Sequence, residues 1–226
     1  MAQMDTMITD TVVVEVSTLP EGHTVSRLAL PGSRRIRTPI GLEFGPLFSG
    51  TVAAAIGPDG VVLYSRGDDY LIQLLTPDGQ TKGSLRGQVG RVAPTEADRN
   101  RRLDVLGRHP VPGLNNEAIL ALHRALPVSR FFPILGRVVP GDSSRLAVER
   151  LDLSPAAPWD VAPFDGPPRE TVWDILHQGR GIIGRVRLPA GFRLLSFRGD
   201  HLSGVSFTAS VARPVRYEFR FDRDRE

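Results

Sequence analysis

Cysteine is absent from the 226 residues. Its absence excludes a disulfide framework, a thiol nucleophile, zinc held by thiolates and cysteine-ligated iron–sulfur clusters. Lysine is almost absent as well. Lys82 is the only one, so 27 of the 28 Lys and Arg residues are arginine, and the formal net charge is only +3. A nucleic-acid surface would gather its cations on one element and interleave aromatics. Here the clusters are small, Arg34-Arg35-Ile36-Arg37 and Arg99 with Arg101 and Arg102, and acids are scattered through most of the chain. Nucleic-acid binding therefore ranks last among the readings. Long apolar runs are also missing. Val52–Ile56 is typical of the longest, far short of the ~20 residues a membrane helix needs. The start, MAQMDTMITD, has no basic n-region and no apolar h-region, so it is not a secretory signal. As written, the chain reads as cytoplasmic; a lost N-terminal extension would make it periplasmic or secreted.

What is abundant is punctuation, with 23 glycines and 19 prolines. They separate short β-branched and apolar runs, which read as strands. Thr11–Ser17 and Thr24–Leu30 come first, joined by the turn Leu19-Pro20-Glu21-Gly22, and the second ends at Pro31-Gly32. The clearest unit follows: Gly50–Ile56, Val61–Ser65, Tyr70–Leu75 and Gln80–Arg86, with two Pro-Asp-Gly turns nineteen residues apart. Proline presets φ at the first corner, aspartate bonds its own backbone and glycine takes the left-handed position. A helical texture occupies Pro94–Pro127. Thr95 caps one helix to about Leu106, and Asn115 or Asn116 caps a second to about Leu126. Strands resume over Arg130–Val139, Arg145–Leu153, Thr171–Leu176 and Ile182–Leu188, interrupted by a proline-rich loop, Ser154–Pro168. Phe192–Arg198, Leu202–Phe207 and Val215–Phe221 complete the series, and residues 222–226 form a charged tail.

Ala55–Gly79 (AIGPDGVVLYSRGDDYLIQLLTPDG) alternates strand, Pro-Asp-Gly, strand, G-D-x-Y, strand and Pro-Asp-Gly. Trp173-Asp174-Ile175 before a glycine turn, then Gly184–Leu195, continue the style. This pattern resembles the bacterial six-bladed, NHL-like β-propeller proteins over roughly residues 50–221. The resemblance implies a mostly β chain of antiparallel four-stranded blade-like units with a small two-helix insertion. About three blades are present, so the expected form is a partial or open propeller, the C-terminal half of a longer ancestor. One propeller-like domain would cover 1–226: a partial blade at 11–49, a blade at 50–90, the helical insertion at 91–129, a blade at 130–190, a last partial blade at 191–221 and the tail. Three blades do not close a ring. Open sheet edges then predict self-association or poor solubility, with another protein as the alternative partner.

Catalytic signals are weak. Gly179–Gly184 fits G-x-G-x-x-G, but a dinucleotide site needs a helix to follow. Pro189 and Gly191 come too soon, so the run reads as a hairpin turn. Asp68 and Asp69 could bind a cation, yet adjacent carboxylates in a turn more commonly bond backbone. The histidines, at 23, 109, 123, 177 and 201, show no i,i+4 pair and no H-E-x-x-H. His177 with Asp200 and His201, at turns between strands, is the best remaining cluster. Trp159, in the proline-rich loop, could mark a recognition surface, whereas Trp173 belongs in the core. No cofactor or metal is indicated. The leading expectation is a non-enzymatic binding or scaffold module. The alternative that the resemblance implies, a lactonase-type metal-dependent hydrolase, would need acid and amide side chains to converge near the axis. Glu43, Asn115, Asn116 and Asp142 are scattered.

Overall fold

The computed structural model describes residues 6–17, 24–37, 43–57, 59–108, 115–142, 144–153, 169–208 and 211–219. The chain is mostly β. Four antiparallel sheets follow one another, each an up-and-down run of neighbouring strands. The first holds β1 (Thr6–Ser17), β2 (Thr24–Arg37) and β3 (Glu43–Phe44). The second holds β4 (Ala53–Ile56), β5 (Val62–Ser65), β6 (Leu71–Leu75) and β7 (Thr81–Arg86). Two helices intervene, α1 (Glu96–Arg108) and α2 (Asn116–Ala125). The third sheet holds β8 (Leu135–Pro140), β9 (Arg145–Arg150), β10 (Thr171–His177) and β11 (Gly181–Leu188). The fourth holds β12 (Phe192–Arg198), β13 (His201–Thr208) and β14 (Val211–Glu218). Two of the sheets have four strands and two have three. Among the described residues the sheets form no closed barrel.

The sheets stack through apolar faces. Val14 and Leu30 of the first meet Val62, Tyr64 and Leu75 of the second. Leu63 and Ile72 of the second meet Leu135, Leu146, Val148 and Leu176 of the third. Ala147, Trp173 and Ile175 of the third meet Phe192, Leu194, Phe197 and Leu202 of the fourth. Strands β4 and β8 run beside each other, as do β8 and β12. Strand β10 is buried on both faces. Its period of two sends Trp173 and Ile175 to the fourth sheet and Asp174 and Leu176 to the second. Trp173, Phe192 and Phe197 are completely covered, each contributing about 1.5–3 kcal/mol by burial.

Several boundaries differ from the sequence reading. Strand β2 does not stop at Pro31-Gly32. Thr9 pairs with Arg34 and Thr11 with Pro31, so β2 carries one extra residue opposite Asp10 and continues through a bulge. Only glycine fits there, because a Cβ on Gly32 would lie 2.6 Å from the Asp10 carbonyl oxygen. The expected strand at 130–139 begins only at Leu135, since residues 127–134 are held by Leu47, Gly67 and Val92 instead. The last strand starts at Val211, four residues before the expected Val215, because β13 offers it a full ladder from His201 to Thr208. Gly179–Gly184 is a hairpin from β10 into β11, as expected. The turn at 19–22, the proline-rich loop with Trp159 and the tail lie outside the described residues.

Both helix starts follow their caps. The Thr95 hydroxyl accepts from the Asp98 amide, and the Asp98 carboxylate accepts from the Thr95 amide at 2.9 Å. The Asn115 side chain accepts from the Ala118 amide at 3.1 Å. Leu126, at the end of α2, is buried with Ile36, Leu47 and Phe48 and ties the helix to the first sheet. Among the described residues no helix is long and apolar enough to cross a membrane.

Candidate functional site

The up-and-down topology sorts the turns to two ends of the stack. The β5–β6 turn, the departure from β7 and the approach to β8 share one end, here the Gly67 end. The β4–β5, β6–β7, β8–β9, β10–β11 and β12–β13 turns share the other, here the Gly57 end.

A cavity of about 470 Å³ opens at the Gly67 end, within the usual size of small-molecule sites. Five stretches wall it: β2 at Ser33 and Arg34, the 46–52 segment, the β5–β6 region, Arg91, and residues 127–131 after α2. Two clamps hold this wall. The Leu47 amide donates to Pro127 O, and the Ser129 amide donates to Leu47 O, both at 2.9 Å. Next to Leu47, Phe48 adopts φ 62°, a strained conformation for a non-glycine residue. Its buried ring packs edge-on against Phe132 at 5.0 Å, and this packing holds the backbone that carries Ser49 and Gly50 into the wall.

Asp68 and Asp69 both line this cavity. Neither faces it as a free carboxylate. Asp68 Oδ1 accepts from the Gly50 amide at 3.1 Å, the backbone role expected of a turn aspartate. Asp69 forms an ion pair with Arg91. Arg91 in turn lies over the Phe131 ring at 5.2 Å, and Arg130 lies over the same ring at 5.1 Å. Arg34 and Arg66 complete the basic lining. Val52, Leu71 and Phe131 supply apolar surface, and Ser33, Ser49 and Ser129 supply hydroxyls. The Tyr64 hydroxyl is tied to Pro31 O, and burial pushes its phenol up.

His177, Asp200 and His201 lie at the Gly57 end, away from Asp68 and Asp69. Arg145 is the local hub. It grips Asp142 with two hydrogen bonds of 2.9 and 2.7 Å, reaches Asp200 at 4.0 Å and pairs in register with His177. The Asp142 carboxyl is held below its usual range, first by the Arg145 hydrogen bonds, against burial. His201 pairs with Arg198 and Glu218 along β13. His177 Nδ1 accepts from the Gly179 amide at 3.0 Å, so the ring proton resides on Nε2, 3.1 Å from Ser144 Oγ. A general base acting on serine needs the opposite tautomer, with Nε2 free to accept. This Ser–His contact is therefore a structural tie between the β8–β9 and β10–β11 turns.

The side chains considered for a metal-dependent hydrolase are engaged separately. Glu43 pairs with Arg37, Asn115 caps α2, Asn116 donates to Gly107 O and Asp142 holds Arg145. Among the described residues no three His, Asp or Glu side chains converge as metal ligands.

The motifs that carried the resemblance meet in a buried network. Tyr70, from Gly67-Asp68-Asp69-Tyr70, donates its hydroxyl to Asp174 Oδ2 at 2.9 Å. Arg150 donates to the same oxygen at 2.7 Å, and Arg185 donates to Oδ1 at 2.7 Å. Arg150 also grips Asp152 with two hydrogen bonds. Burial pushes the Asp174 carboxyl up, but the bonds from Arg185, Arg150 and Tyr70 outweigh it and hold the pKa below its usual value. Burial and the Asp174 charge push the Tyr70 phenol well above its own. The network joins the second and third sheets around the buried Asp174, with Arg185 half-exposed, and none of these residues lines the cavity.

No protein-family model matches the chain, and no curated protein matches it significantly. The cavity arginines, Phe131 and the Phe48 support did not stand out in the sequence. Arg34 lay within a small cluster, but nothing in the chain announces that Arg66, Arg91 and Arg130 come to the same place.

Proposed function

We propose that the chain is a non-enzymatic binding module, an open propeller-like stack similar in style to the NHL-like β-propellers, with its ligand site in the cavity at the Gly67 end. One observation carries this reading. The cavity is walled by separate stretches of chain, held by the Leu47 clamps and the strained Phe48, while its two carboxylates are already committed to the Gly50 amide and Arg91. Such a wall is preorganised for contact, and its acids are placed to hold the wall. Pockets with apolar surface and a few fixed polar groups are the usual form of small-ligand sites.

The test is amide-shift mapping of the full chain against fragments of neutral, cationic and anionic character. The expected result is fragment-induced shifts concentrated on the amides of Ser33, Gly50, Ser65 and Ser129. If no fragment of any charge moves these amides, the cavity is not a binding site and the reading fails.

A further inference from the structure

We infer that the ligand of this cavity is a small organic anion with at least two negative charges, a phosphate monoester or a dicarboxylate, on an apolar body. The inference rests on the binding reading above and adds the chemical class. Several arginines elsewhere in the molecule are neutralised, Arg35 by Asp10, Arg145 by Asp142 and Arg150 by Asp152 and Asp174, while those without an acid partner among the described residues, such as Arg193, do not line this cavity. In the cavity the balance is different. Asp69 is taken by Arg91. Among the described residues, Arg34, Arg66 and Arg130 form no ion pair with an acid, and Asp68 alone opposes them. Uncompensated guanidiniums around one concavity repel each other and raise a local positive potential that draws anions. Their planar forks match carboxylate and phosphate oxygens in pairs. A bare inorganic ion would leave Val52, Leu71 and Phe131 uncovered, so the charged group is attached to an organic body. The ring of Phe131, with Arg91 and Arg130 both about 5 Å from its centre, supplies a flat apolar surface beside the charge.

The experiment titrates the full chain calorimetrically with phenyl phosphate, phthalate, benzyl alcohol and benzylamine at one fixed ionic strength. Phenyl phosphate, phthalate or both are expected to bind, and the tighter one identifies the acidic group. Arg34→Gln and Arg66→Gln should each weaken that binding about tenfold, as expected for loss of a charge-assisted hydrogen bond. Arg193→Gln, an exposed residue of β12 outside the cavity, should leave it unchanged. A melting curve for each variant confirms folding, and Arg66→Lys, which keeps the charge and loses the fork, should fall between wild type and Arg66→Gln. Benzyl alcohol or benzylamine binding as well as the anions, or arginine variants with unaltered affinity, would overturn the anion assignment while leaving the cavity a binding site. Failure of all four probes, together with unmoved cavity amides, would overturn both.

Discussion

Asp174 shows how much one side chain carries here. It is completely buried, and its two oxygens accept from Arg185, Arg150 and Tyr70, which come from β11, β9 and the β5–β6 turn. Asp174→Asn keeps the shape but removes the charge and turns a donor toward donors. Removing one partner of a buried, hydrogen-bonded pair costs about 3–5 kcal/mol, which urea unfolding at pH 7 would measure. The pH dependence has a definite sign. The folded carboxyl titrates below its unfolded value of about 3.9, so the unfolded chain takes up its proton first as pH falls. The stabilisation is therefore complete above that value and is lost as pH drops through the lower folded pKa. Wild type should lose stability on the acid side of about pH 4, and Asp174→Asn should lose it less steeply. Asp142, held down by Arg145 in the same direction, preserves part of the slope.

At the scale of elements, the cavity wall depends on close approach between the 46–52 segment and the β5–β6 turn. Gly50 has no room for a side chain. A Cβ there would lie 2.5 Å from Asp68 Oδ1 and 2.7 Å from the Arg66 carbonyl oxygen, and the backbone atom cannot swing away. Gly50→Ala should cost about 1–3 kcal/mol through overpacking, lowering Tm by about 2–4 °C for each kcal/mol in a chain of this size. It should also weaken fragment binding, since Asp68 and Arg66 move together. Thermal unfolding and amide-shift mapping of this variant check the two effects. The elements themselves were legible because their signals are local. The Pro-Asp-Gly corners and the Thr95 and Asn115 caps each declare themselves within a few residues. Boundaries failed where a distant partner decided them, as when β1 carried β2 past Pro31 through the Gly32 bulge. The cavity was illegible for the same reason. Ser33, Gly50, Arg91 and Arg130 are separated by long stretches of chain, and no local pattern states that they meet. The His177 tautomer was equally hidden, because it is set by the Gly179 amide and Ser144.

At the scale of the whole molecule, the stack has ends, and among the described residues β14 is an edge strand of the fourth sheet. An unpaired strand offers amide and carbonyl groups to another chain. Val211 and Tyr217 on β14 are well exposed, at 45% and 38%, and give such an encounter apolar contact. Pro214 sits in the middle of this strand, yet the ladder with β13 runs unbroken past it, pairing Val205 with Pro214. A proline is tolerated on an edge strand where its missing donor would have pointed outward, and there it interrupts any ladder that a second copy would build. Pro214 would therefore hold in check any ladder built on this edge by a second copy. Pro214→Val should restore a continuous edge and give an apparent mass that rises with concentration in light scattering, more steeply than wild type. Adding Val211→Lys to it should reverse the rise, because a charged edge resists docking. If Pro214→Val scatters as wild type does at every concentration, the edge is not the association surface, and any self-association runs through the sheet faces at the ends of the stack.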